Sequence, residues 1–273
     1  MAIITISRQV AALGDEIATA VAKKTGYAFV DRRQIEKRIV ELGFPQAKLS
    51  KYDERKPGFF ASLMKDRDEY LNYLQYAVLE EADKGNCILI GRGAFSILED
   101  VPNLIALRFV SRDGVRLERL KNEFSWNDKQ AQSRIDESDS NRKGFHKSFF
   151  NMENEDPQHY LLTLNTSILS IDEAVKLIDD LVKIHITPQK EADGKQVVEQ
   201  RLRGQRLVNQ LIFDFHLNIN FLRAVVDGNV ITLQGVADSQ GLAERAVQTA
   251  AKILPSCEIR SSISIVQDFK TYQ

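Results

Sequence analysis

Apolar residues fall in short runs, separated by longer stretches with helical spacing. The first run is Ile3, Ile4 and Ile6 around Thr5, a β-rich segment of the kind buried on both faces of a parallel sheet. A loop follows from Ser7 to Gly14. From Glu16 to Lys24, Ile17 and Val21 share a face with alanines, which predicts a helix, and Gly26 stands where a helix-ending glycine belongs. Tyr27 to Val30 reads as a second strand, ending at Asp31. Strand, loop, helix and strand make a βαβ unit.

The same alternation continues. Residues Arg32 to Gly85 read as mainly helical, with breaks near Pro45 and at Pro57-Gly58. Cys87 to Ile90 and Leu104 to Val110 are strands. Ser111 is the expected N-cap of a helix from Asp113 to Asn122. A further helix starts at Ser125 or Asn127 and runs to about Asn141. Leu161 to Asn165 is the last strand of the series, followed by a helix from Ile171 to Ile184. Strands alternating with helices predict an α/β fold with a doubly wound parallel sheet.

The pattern then changes. Thr187 to Lys195 is polar and holds Pro188 and Gly194, the composition of a linker. Beyond it, Val197 to about Phe213 is helical. Arg223 to Val226 and Val230 to Gln234 form a hairpin about Asp227-Gly228. Ser239 to Leu254 is an amphipathic helix, and Ile259 to Val266 alternates as a strand. The expected organisation is an α/β domain at 1–187, a linker at 188–194 and a smaller α-β-β-α-β domain at 195–273.

Composition narrows the function classes. The 273 residues carry a net charge of −1, so no bulk field draws nucleic acid or membrane, and an anionic ligand needs a local cluster. Two cysteines, Cys87 and Cys257, lack metal-type neighbours and are far apart, which fits a reducing compartment and a cytoplasmic location. The first residues read as a strand rather than a leader, and no apolar run reaches the length of a membrane span.

Three places carry candidate chemistry. Ser7, Arg8, Gln9 and Gly14 lie in a turn between a strand and a helix N-terminus, where free N–H groups and the helix dipole favour phosphate. The turn has one glycine and no lysine, with Asp15 and Glu16 just beyond, so an ordinary βα turn is the competing reading. Gly91-Arg92-Gly93 follows a buried strand directly. An arginine between glycines there suits bidentate phosphate contact, or is a surface residue of a turn. Arg112, Arg116 and Arg119 share a helical face after the next strand, and Arg134, Asp136, Asp139 and Arg142 lie on the helix that follows. Such clusters neutralise a transferring phosphoryl group, or form a solvated, salt-bridged face. No metal-ligand spacing is present.

Ile4-Thr5-Ile6-Ser7-Arg8-Gln9 with Gly14, then Phe29-Val30-Asp31-Arg32, Ile90-Gly91-Arg92-Gly93-Ala94 and Arg134-Ile135-Asp136 with Asp139 and Arg142 form an ordered set. With Asp156-Pro157, Tyr160 and Leu164-Asn165-Thr166, this set resembles the cytidylate kinase-like family over about residues 1 to 185. The resemblance implies a P-loop kinase fold that uses ATP and Mg²⁺ and phosphorylates a CMP-like monophosphate. It implies that Ser7, Arg8, Gln9 and Gly14 cradle ATP. Asp31, Arg32, Gly91, Arg92 and Asp139 would hold the acceptor, and Arg116, Arg119 and Arg142 would act on the transferring phosphate. Where the family commonly reads Tyr-Gly-Ser-Gly-Gly, this chain has Val10-Ala11-Ala12-Leu13-Gly14. That departure favours an alternative, a weak or inactive pseudokinase that senses a nucleotide or serves as a scaffold. Ala224 to Val236 resembles the core of a BON domain, which implies a protein or lipid partner for the C-terminal domain.

Overall fold

The computed structural model describes residues 1–49, 52 and 63–266. The break expected at Pro57-Gly58 lies outside the described residues. Five strands form one sheet: β1 (Ile3–Arg8), β2 (Ala28–Val30), β3 (Cys87–Ile90), β4 (Leu104–Val110) and β5 (Leu162–Asn165), in the order β2-β3-β1-β4-β5. Every pairing is parallel, with Ile4 beside both Ile88 and Ile105. Strand β1 is central because both of its faces are apolar: Ile3, Ile4 and Ile6 are almost wholly buried.

Each face of the sheet has its own core. On one face Ile4 and Ile6 pack with Ile17 and Val21 of α1 (Gly14–Thr25) and Ile178 of α8 (Ile171–His185). On the other, Ile3 and Leu89 pack under Ile35 and Ile39 of α2 (Arg32–Glu41). The same core takes Leu74 and Ala77 of α4 (Leu63–Asp83), which follows the short α3 (Gln46–Leu49). Helix α5 (Ala94–Ile97) is a single turn after β3, and α6 (Asp113–Phe124) and α7 (Asp128–Phe150) form a pair beyond β4.

Two local readings are corrected here. Ser111 does not cap α6: the N-cap is Arg112, and the Ser111 hydroxyl pairs with that of Ser167 instead. Helix α7 does not end near Asn141 but runs to Phe150, because Phe145 and Phe149 continue its buried stripe into the core under α4.

The third correction concerns residues 188–194, which are helical rather than linker-like. Helix α9 (Pro188–Asn209) starts there, capped by the Thr187 hydroxyl on the Lys190 amide at 3.2 Å. Pro188 occupies the first helical position, where its missing N–H costs no hydrogen bond. Gly194 is a point of close approach, since a Cβ there would lie 1.8 Å from the Asn103 side chain. Further along, Val198 and Leu202 enter the core under α4, and Leu207, Val208 and Leu211 enter that of the C-terminal unit. One five-residue π-helical turn, Gln210–Asp214, ends the run.

The C-terminal unit is a three-stranded sheet in the order β6-β7-β8, with β6 (Asn220–Asp227), β7 (Val230–Ala237) and β8 (Glu258–Ile265). Helix α10 (Gln240–Ile253), capped by Ser239, covers it. Gly204 lets α9 lie directly on β6: a Cβ there would meet the Ala224 carbonyl at 2.3 Å. The two units also meet side by side. Phe213 stacks on Tyr73 with centroids 4.3 Å apart, and Gln205 donates to the Asn72 side chain at 3.0 Å. Among the described residues, no helix is long and apolar enough to cross a membrane.

Candidate functional site

The turn between β1 and α1 lies at the carboxyl end of the sheet, where ligands of open α/β sheets collect. Its backbone is unusual for its sequence. Ala11 and Leu13 both adopt φ of 56°, the left-handed region that glycine tolerates and L side chains resist. Each such residue costs on the order of 1–2 kcal/mol. Leu13 is also the N-cap of α1 and offers it no side-chain cap, so the helix N-terminus keeps its donors for another anion.

Two arginines hold this strained path. Arg116, only 1% exposed, donates from Nε to the Val10 carbonyl at 3.0 Å. Its Nη2 grips both oxygens of Asp139 at 2.8 and 2.7 Å, and its Nη1 reaches Asp113 at 3.0 Å. Arg119, one helical turn on, donates to the Ala11 carbonyl at 2.9 Å and to the Thr166 carbonyl at 2.6 Å. Burial pushes the Arg119 guanidinium below its ordinary value, with nearby Glu16 opposing the shift. The side of the turn turned to α6 is therefore occupied by guanidinium groups bound to the turn itself. Gln9 ties the turn to β4: its amide donates to Phe109 at 3.0 Å and its side chain accepts from Ser111 at 2.9 Å.

Arg8 crosses from the turn to the end of β3. A Cβ at Gly14 would lie 2.7 Å from its Cγ, and one at Gly91 would lie 2.7 Å from its Nη1. Both glycines thus clear room for this side chain. Arg8 meets Asp15 at 3.4 Å, while its buried Nε has no hydrogen-bond partner. The Ser7 hydroxyl oxygen accepts from Arg108 Nη1 at 3.1 Å, and the Arg108 guanidinium lies 5.7 Å over the Tyr160 ring.

Arg92 stands beside them with φ of 53° and is 3% exposed. Its Nη1 donates to the Tyr52 carbonyl at 2.7 Å, its Nη2 pairs with Glu36, and its Nε is buried without a partner. Glu36 also accepts from Arg32 at 2.7 Å. Arg8, Gly91, Arg92, Arg142 and Phe145 line one pocket.

Of the twelve expected site residues, Gln9 and Gly14 stay in or beside the turn, and the other ten separate into three groups. Ser7, Arg8, Gly91, Arg92 and Arg142 converge on the pocket. Arg116, Arg119 and Asp139 lie behind the turn and brace it. Asp31 caps α2 in a reciprocal pair with Gln34, and Arg32 pairs with Glu36, the partner of Arg92. Sequence reasoning missed Glu36, although its spacing of four from Arg32 on a helix is a legible pairing signal.

Between Val10 and Gly14 the turn presents no side-chain oxygen to Mg²⁺, and the nearest carboxylates, Asp15 and Glu16, belong to the first turn of α1. The Ser7 hydroxyl is taken by Arg108, and Asp15 is engaged by Arg8. Among the described residues no cluster of three His, Cys, Asp or Glu side chains could hold a metal.

A family model described as the cytidylate kinase-like family matches residues 3–168. The match ends ahead of α8, so α9 and the C-terminal unit lie beyond it. None of the curated proteins matches the chain. Among solved structures, an uncharacterized protein from Eubacterium ventriosum is 17% identical, with a TM-score of 0.53, covering 67% of this chain and 99% of that one. A shikimate kinase from Bacteroides thetaiotaomicron is 15% identical (TM-score 0.41, 67% and 98% covered). A deoxyadenosine kinase from M. mycoides is 14% identical (TM-score 0.35, 67% and 99% covered). At such identities the likeness to the Eubacterium protein is one of fold alone.

Proposed function

The chain belongs to the cytidylate kinase-like family, and from that premise we propose that it binds a CMP-like nucleoside monophosphate but transfers phosphate from ATP weakly or not at all. The observation that carries this reading is the turn after β1. Phosphoryl transfer in this fold is positioning and charge stabilisation, and it needs backbone N–H groups drawn close to the phosphates. Here Ala11 and Leu13 place side chains at the two left-handed positions. Arg116 and Arg119, the expected stabilisers of the transferring group, spend their donors on the turn and on Asp139 and Thr166. The turn itself also offers Mg²⁺ no side-chain oxygen, the nearest carboxylates being Asp15 and Glu16 in the first turn of α1.

The protein then acts as a nucleotide sensor or scaffold in the cytoplasm, with the C-terminal unit as its output. The order α9, β6, β7, α10, β8 supports the BON-like reading of that unit and with it a protein or lipid partner. A second reading, active phosphorylation of CMP by ATP, is favoured by one observation: the turn keeps the left-handed path at both positions despite its side chains.

Titration with ATP–Mg²⁺ and CMP, separately and together, alongside a coupled assay of product, tests both. We expect CMP to bind, ATP to bind weakly and product to be scarce. Robust turnover by the natural chain would sink the sensor reading and establish the second. Replacing Ala11 and Leu13 by Gly and Ala12 by Ser should raise ATP affinity. No gain would show that the turn is not the defect.

A further inference from the structure

Arg92 is a buried cation that lines the pocket and already holds an anion of the chain's own. The side chain is 3% exposed, and its Nη2 is paired with Glu36, whose carboxylate also takes the Arg32 Nε at 2.7 Å. Glu36 itself belongs to α2 and is 56 residues from Arg92, so the pair joins the end of β3 to that helix. The Nε atoms of Arg92 and Arg8 are buried and have no hydrogen-bond partner. Arg8 and Arg92 thus line the same pocket, each with one unused donor, and a carboxylate from α2 holds Arg92.

We propose that Glu36 is a built-in competitor for the phosphate site and thereby sets its specificity. This rests on the monophosphate reading above. In the ligand-free chain the Glu36 carboxylate supplies the oxygen that Arg92 requires, because an unpaired buried guanidinium is costly. A ligand must displace that oxygen. A phosphate dianion succeeds because it brings more charge and three acceptor oxygens, enough for the Nη2 that Glu36 releases and for the idle Nε atoms of Arg92 and Arg8. A neutral nucleoside brings no replacement charge and leaves the pair closed. Glu36 keeps one partner on release, since Arg32 lies one turn away on the same helix and can hold it aside. The competitor therefore raises the threshold for binding without leaving a stranded charge in either state.

The test compares the natural chain, Glu36→Gln and Glu36→Asp, titrated calorimetrically with CMP and with cytidine, with melting followed in the presence and absence of inorganic phosphate. Removing the competing charge should tighten CMP binding about tenfold, the scale of one charged hydrogen bond. Glu36→Asp, which keeps the charge on a shorter arm that holds Arg92 less closely, should tighten CMP binding by a smaller factor, and cytidine binding should be the same in all three. Glu36→Gln should melt lower than the natural chain and recover more of that loss than the natural chain gains when phosphate is added. Equal CMP affinity in the natural and Gln proteins overturns the competitor role and leaves the monophosphate reading standing. So does a cytidine gain as large as that for CMP. Binding of CMP and phosphate by none of the three removes the monophosphate reading itself, and the competitor with it. Should Glu36→Gln fail to fold, the Asp variant decides: a CMP affinity no tighter than the natural chain's, with phosphate giving it no added thermal protection, overturns the proposal.

Discussion

The parallel-sheet unit and the C-terminal unit handle charge in opposite ways. In the first, Arg92, Arg108 and Arg116 are at least nineteen-twentieths buried, at 3%, 4% and 1% exposed. Each has an acidic side chain within 4.0 Å: Glu36, Glu155 and Asp139. In the second, every well-buried residue described is apolar, from Leu207 to Ala250, and the charged side chains stay outside. Burying a guanidinium costs several kcal/mol unless it is paired and bonded, so a fold keeps it inside where it serves a site. The contrast shows where buried charge gathers: on β4 and just beyond β3 and β4, in the parallel-sheet unit.

The sharpest test of that contrast removes a buried partner. Asp139→Ala leaves Arg116 in the interior with only the exposed Asp113 beside it. We expect a loss of about 3 kcal/mol in unfolding stability, measured by denaturant titration. A loss below 1 kcal/mol would mean that the arginines are solvated after all. A surface acid of the C-terminal unit, such as Glu244, should by comparison cost within about 0.5 kcal/mol when changed to Ala.

Next comes the joint. Leu202 is 7% exposed and belongs to the core under α4, although it lies on the helix that runs into the C-terminal unit. Leu202→Ala should cost about 2–4 kcal/mol and split one melting transition into two. Residues 188–194 should resist limited proteolysis in the native chain, because they are helical and packed on Asn103. Early cleavage there would restore the division at 187 and 195 into independently folding domains. That division stands as a proposal, and the isolated 195–273 fragment tests it directly.

Smaller effects separate the units further. Leu13→Gly should stabilise the protein by roughly 0.5–1 kcal/mol, because relief of the left-handed strain outweighs the added chain entropy. No gain would show that Arg116 and Arg119 already absorb the strain. The two thiols should differ in kind. Burial pushes Cys87 up to about 12, with Glu81 adding to the shift, so at neutral pH it stays a protonated, unreactive thiol. Cys257 is half-buried, with Arg203 Nη2 2.6 Å from its sulfur. A thiol reagent at pH 8 should label Cys257 in the native chain and Cys87 only after unfolding. Equal labelling would mean that β3 is not the closed strand described here.

Much was legible along the chain because the relevant physics is local. Alternating runs and helical stripes marked all five parallel strands to within two residues, the first running on to Arg8 rather than ending at Ile6, and Asn127, Ser170 and Ser239 stand as N-caps where polar side chains precede apolar periods. The ordered motifs pointed to the family that residues 3–168 match, and five of the named residues do meet in one pocket. Pairing across distance was not legible. Pro188 and Gly194 look like linker punctuation in one dimension, yet one starts a helix and the other admits the Asn103 side chain. Arg116 and Arg119 had the spacing of a phosphate clamp, and only the fold shows them bound to the carbonyls of Val10 and Ala11. A sequence determines which residues share a strand or a helical face, because that follows from periods of 2 and 3.6. Which distant oxygen a long, flexible arginine reaches depends on how those elements stack, and only the tertiary structure decides it: Glu36 for Arg92, Asp139 for Arg116.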